Sequence, residues 1–196
     1  MGVDVSRQRV EAFSDGIIAI LATIMVLELR EPGGTSWRDI AGVLPELVAY
    51  LISFVMLCIY WVNHHSLFTS ISRITPGIIW ANNALLFALS LVPFVTGWAN
   101  GNLSESLPAV VYGIVGFVAG EAFFILVVVI ARAETGAPIA ETVLSRRKGF
   151  LSPLLWLAGS LVAVFAPVVA YVLYAGVLAM WIIPERGIER EAALER

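Results

Sequence analysis

An all-α integral membrane protein of about six transmembrane helices, with both termini in the cytoplasm, is the fold this sequence predicts. Three observations carry that expectation. Of 196 residues, 59% are hydrophobic and only 14% charged, and the mean hydropathy is +0.88. A soluble domain of this length needs a larger polar skin. The apolar residues come in long blocks, the signature of membrane spans. The basic residues also fall on one side once six spans are drawn. With the N-terminus inside, Arg7, Arg9, Arg73, Arg132, Arg146, Arg147, Lys148, Arg186, Arg190 and Arg196 are internal, which leaves only Arg30 and Arg38 of the 12 basic residues outside. That bias supports an even number of spans.

The first block runs roughly from Val10 to Leu29 and holds Asp15. It reads as a retained helix, and no cleavable signal sequence is expected. The second, about Ile40 to Phe68, is longer than the bilayer core requires and is expected to tilt or project into water. The third spans about Pro76 to Trp98 and the fourth about Leu107 to Ile130. The stretch Phe150 to Ile183 is too long for one helix. Pro167 divides it into a fifth helix, about Leu151 to Ala166, and a sixth, about Val168 to Ile183. A single transmembrane domain over residues 1–184 is therefore expected, followed by a charged cytoplasmic tail over 185–196.

Several functions are disfavoured by what the chain lacks. A net charge of −3 gives no sign of nucleic-acid binding. Cys58 is the single cysteine, so neither an intrachain disulfide nor a cysteine-based metal site forms within one chain. Its apolar surroundings read as ordinary packing. There is no G-x-x-x-x-G-K-[ST] loop, no H-E-x-x-H signature, no TVGYG filter and no arginine-rich voltage-sensing helix. No catalytic residue is expected: Ser14 has no base beside it in sequence.

The informative anomaly is in the first helix. Ionisable groups in a span are costly and face protein or water. On a helical wheel Ile20, Thr23, Ile24 and Leu27 share an arc of about 100°, and Asp15 points about 140° from its centre. One face is branched-aliphatic with a single hydroxyl; the other carries Ser14 and Asp15. Taken alone, such a stripe more often faces lipid or core than lines a pore. Partners for the polar face lie in Trp61-Val-Asn63-His64-His65 of the second helix and Trp80-Ala-Asn82-Asn83 of the third. Polar side chains this dense suggest an interhelical hydrogen-bond network. His64 and His65 are adjacent and lack the i,i+4 spacing of helical metal-ligand pairs. Glu121 in the fourth helix is a second intramembrane acid, and snorkelling, ion pairing and an ion path all remain open for it.

The run Arg9-x-x-x-Phe13-Ser14-Asp15-Gly16 at the start of a span resembles the signature of the transmembrane protein 175 family, the lysosomal potassium channels and their prokaryotic homologues. The similarity continues through Ile20 to Glu28, to Trp61–His65 and to Trp80–Pro93. The C-terminal half matches only in hydropathy. The resemblance implies a potassium-permeable cation channel in a bacterial or archaeal cell membrane, without cofactor, its permeant ion K+. A chain with one repeat implies a homotetramer, in which the first helix of each subunit lines a central pore. By position, Ile20 would form the narrow ring, Ile24 and Leu27 further rings, and Thr23 a hydroxyl layer. Arg9, Phe13, Ser14 and Asp15 would join His64 or His65 and Asn82 or Asn83 in the network that holds the helix. Glu28 reads equally as a cation attractor at the mouth and as a plain surface charge. The competing readings are a proton-coupled transporter using Asp15, His64/His65 and Glu121, and a membrane enzyme or metal protein built on the same residues.

Overall fold

The structure, a computed structural model, describes residues 6–133 and 147–182. Residues 134–146 and 183–196, which hold Arg146, Arg186, Arg190, Arg196 and the expected charged tail 185–196, lie outside the described residues. What is described is helical: α1 (Arg7–Ile24), α2 (Trp37–Thr69), α3 (Pro76–Ser90), α4 (Val92–Ala99), α5 (Ser106–Ala133), α6 (Arg147–Ala163) and α7 (Pro167–Ile182). A 3-10 turn, Met25–Glu28, continues α1, and α4 follows α3 almost directly. Four stretches are long and apolar enough to cross a membrane: Arg7–Glu28, Trp37–Thr69, Pro76–Ala99 and Ser106–Ala133. Two shorter apolar helices, Leu151–Ala163 and Pro167–Ile182, complete the set.

Local chemistry explains the boundaries. Ser36 and Asp39 form a reciprocal capping box at the start of α2, which satisfies backbone donors that the helix cannot. Thr75 caps α3, and Pro76 occupies its first turn, where the missing N–H costs nothing. The stretch expected as one helix from Pro76 to Trp98 is broken at Leu91. Pro93 is the physical reason: it has no N–H to offer the preceding turn, and its ring crowds the carbonyl four residues back. Gly101, at φ +74, turns the chain after α4. The split expected at Pro167 is present, with α6 ending at Ala163 and Pro167 opening α7.

The helices sort into two groups. α5 is the central post, packed against α3, α4, α6 and α7. α1 lies in front of α2 and α3 and touches both. Behind it a tightly filled core runs through Met25, Met56, Leu57, Leu85, Leu89, Val92, Tyr112 and Tyr174. In front, much of α1 is covered by none of the other described residues: 28% of its apolar window is buried, against 56% for α3–α4.

Candidate pore helix and its anchor

Val10, Ser14, Ile18, Leu21 and Met25 of α1 are buried. They recur at steps of three and four, so one stripe of the helix faces the bundle. At its polar point is a directional chain of hydrogen bonds. His64 Nε2 lies 2.8 Å from Asn82 Oδ1, which can only accept, so this nitrogen carries the proton. Asn82 Nδ2 donates to Ser14 Oγ at 2.9 Å, and Ser14 Oγ donates to the Val10 carbonyl at 2.9 Å. Ser14, His64 and Asn82 are each fully buried. The Phe68 ring stacks on the imidazole with centroids 4.3 Å apart. His64 Nδ1 meets no partner among the described residues. It is the bare lone pair of the neutral tautomer, the ring nitrogen that least needs one.

A second connection joins α1 to α2 as rungs. Glu11 Oε1 pairs with His65 Nδ1 at 2.7 Å, and one turn later Trp61 Nε1 donates to Asp15 Oδ1 at 3.0 Å. The Trp61 and His65 rings stack between the rungs. Each step is four residues along both antiparallel helices. Further along, the α1 side carries Ala19 and Ala22 opposite Leu57, Cys58 and Phe54. Small residues there leave an open groove between the helices, with Asp15 and Trp61 at one end.

The doubled residues are thereby assigned. His64 and Asn82 join Ser14, while His65 pairs with Glu11. Asn83 is half-buried on the next face of α3. Asp15 meets Trp61 rather than either histidine. Arg9 and Phe13 are exposed. Near the α1 N-terminus, Arg7 donates to the Thr69 and Ile71 carbonyls, which ties that end to the α2–α3 turn. Glu121 is half-buried on α5. Among the described residues no hydrogen bond or ion pair joins it to Asp15 or to either histidine, and the His64 chain ends on a backbone carbonyl. Among the described residues no group of His, Cys, Asp and Glu gathers to hold a metal ion.

The aliphatic seam lies on the other side of α1. Ile20 is 56% exposed, Ile24 41% and Leu27 78%. Because Leu27 falls in the 3-10 turn, it stacks over Ile24 rather than drifting around the helix. Thr23 lies between them and donates its hydroxyl proton to the Ile20 carbonyl at 2.9 Å, so its oxygen lone pairs are left for the exposed side. At the far end Asn100 Nδ2 donates to the Glu28 carbonyl, and the Glu28 carboxylate lies against Gly97.

Sequence reasoning missed the Glu11–His65 rung. Its signal was present: Glu11 and Asp15 are four apart, as are Trp61 and His65. A buried hydroxyl chain was missed as well, Thr96 to Ser53 at 2.7 Å and Ser53 to Tyr112 at 2.8 Å, linking α4, α2 and α5.

Known proteins resemble this chain in sequence and fold. Residues 9–93 match the model of the family described as endosomal/lysosomal potassium channel TMEM175. A potassium channel of Chryseobacterium sp. (strain P1-3) is 39% identical over 186 residues, 94% of this chain and 97% of that protein. The human endosomal/lysosomal proton channel TMEM175 is 36% identical over 104 residues, 47% of this chain but 19% of that protein. The crystal structure of a lysosomal potassium-selective channel TMEM175 homolog from Chamaesiphon minutus superposes with a TM-score of 0.76, at 24% identity, over 90% of this chain and 96% of that one. The matched region contains α1, the rungs on α2 and the Asn82 bond on α3, and the chain belongs to the TMEM175 family.

Proposed function

We propose that the protein is a homotetrameric, potassium-permeable cation channel of a bacterial or archaeal cell membrane, with both termini in the cytoplasm. Its pore is the space between four copies of α1. The observation that carries this reading is the division of α1: one stripe is fixed to α2 and α3 by buried hydrogen bonds, while Ile20, Ile24 and Leu27 are left uncovered. A helix held this firmly in rotation presents one defined face to whatever it lines. Family membership and the potassium-channel name of the Chryseobacterium relative support the assignment of the ion.

The chemistry follows from the side chains. Four Ile20 side chains meeting at an axis close it by steric block and by dewetting. They offer no oxygen to replace an ion's hydration shell, so the ring widens for conduction. The Thr23 oxygens, with their protons already committed to the Ile20 carbonyls, face the path as acceptors for a cation or its water. In this reading Asp15 and Ser14 anchor and do not conduct.

Ile20→Asn tests it. Four amides at the constriction hold water, and resting cation current in reconstituted bilayers is expected to rise well above that of the parent. Unchanged current, with a cysteine at position 20 labelled only by lipid-soluble reagents, overturns the pore assignment. Recording the same bilayers under a proton gradient measures whether H+ shares the path, as the name of the human relative invites.

A further inference from the structure

We propose that neighbouring subunits join head to tail, the exposed aromatic stripe of α3 and α4 (Trp80 and Phe87, then Phe94) entering the α1–α2 groove of the next copy, where Asn83 meets Asp15. The inference rests on the tetrameric pore reading and deepens it by naming the surfaces that close the ring.

Three observations lead to it. The first is Asp15. Its carboxylate, on a helix long and apolar enough to cross a membrane, sits at the mouth of the groove, and among the described residues Trp61 supplies its one hydrogen bond. An ionisable group that faces hydrocarbon is costly, so the groove calls for a protein cover with a donor. The second is α3. Asn82 points at α1 and α2, Ile78, Leu85 and Leu89 point into the chain's own core, and on the outer face Phe87 lies about 140° and Trp80 about 160° from Asn82, with Phe94 exposed beyond them on α4. Phe87 is 69% exposed. Asn83 borders the same face, about 100° from Asn82, and among the described residues no hydrogen bond uses its side-chain amide. The groove and this stripe flank α1 on its two sides, α2 to one and α3 to the other. That is where the neighbours of a pore-lining helix must be.

The third observation is depth. A rotation about the membrane normal leaves every atom at its own height, so contacting residues of a cyclic assembly must already share a level. Ser14 is bonded to Asn82, and Asp15 and Asn83 are each the next residue in helices running the same way. The amide donor and the carboxylate therefore lie at one level. Phe87 is about 8 Å beyond Asn82, and Cys58, across the groove, about 9 Å beyond the bonded His64. Phe94 and Phe54 match in the same way nearer the far end. Aromatic side chains thus stand level with the stretch of groove where Ala19 and Ala22 leave room.

Cys58 is exposed in that groove and is the single cysteine, so one substitution makes the test. Full-length Phe87→Cys protein in liposomes is treated with a short bismaleimide. Denaturing gels are read beside the native mass of the same sample. A head-to-tail ring gives a ladder of covalent dimer, trimer and tetramer, whereas a two-fold contact stops at dimer. The ladder is expected with Phe87→Cys and not with the parent, nor with Leu161→Cys on an exposed face of α6. A second pair, Phe54→Cys with Phe94→Cys in a Cys58→Ala background, is expected to give the same ladder. A native tetramer with no ladder from either pair overturns the interface and leaves the pore reading standing. A monomeric native mass overturns both.

Discussion

At the scale of single residues, the decisive groups are neutral. His64, Asn82 and Ser14 form a chain in which every proton is assigned by the acceptor-only oxygen of Asn82. Asn82→Leu keeps the volume but leaves the buried His64 N–H without an acceptor. An unmet buried donor costs about 1–3 kcal/mol. Detergent-solubilised Asn82→Leu protein is expected to unfold several degrees below the parent in a thermal melt. An unchanged melting temperature would remove the chain from the account of how α1 is held. The sequence offered His64 or His65 and Asn82 or Asn83, and could not choose. Adjacent residues of a helix point about 100° apart, so the choice depends on the rotation of α2 and α3, which packing sets. The pairing of Asp15 with Trp61 was hidden for the same reason: a carboxylate invites a search for cations, and an indole N–H satisfies it as well.

At the scale of helices, close approach depends on residues that hydropathy does not weigh. A Cβ at Gly113 would overlap Tyr174 Oη and Ser160 Oγ, and one at Gly116 would overlap the Trp156 indole. These glycines let α5 press against α6 and α7, where Tyr112, Trp156 and Tyr174 stack. Small residues at such contacts are the ordinary means of helix packing in lipid. Gly116→Val is expected to displace the indole and cost about 1–3 kcal/mol by overpacking, read as a lower melting temperature with an altered tryptophan emission. Gly176→Val, where no atom lies within 4 Å of the added Cβ, is the control and is expected to be nearly silent. The existence and order of the helices were legible because long apolar blocks punctuated by Pro167 leave few alternatives. The break at Leu91 was not. Pro93 sits inside a continuous apolar run, and hydropathy alone cannot tell a proline that bends a span from one that ends it.

At the scale of the whole molecule, the proposed tetrameric pore requires that four weak groups act together. One Thr23 hydroxyl on a solitary α1 is a minor helix feature, bonded to the Ile20 carbonyl. Around the shared axis of that proposed pore, four such oxygens would form a layer between hydrophobic rings, the place in the seam where a partly dehydrated cation would find ligands. Potassium gives up its water more readily than sodium, so even a sparse oxygen layer favours it, though less than a cage of backbone carbonyls does. Thr23→Val is isosteric and removes the oxygen without widening the path. It is expected to lower the K+ over Na+ permeability ratio about fivefold, equivalent to ~1 kcal/mol of lost discrimination, read as a shift of reversal potential under bi-ionic conditions. Thr23→Ser keeps the oxygen and the bond to Ile20 and is expected to retain the ratio. The pair separates chemistry from shape: both variants alter the methyl packing of the seam, and only one alters the ligands. If Thr23→Val and Thr23→Ser both leave the ratio unchanged, the oxygen layer does not select, and the preference for potassium must then come from the Ile20 ring.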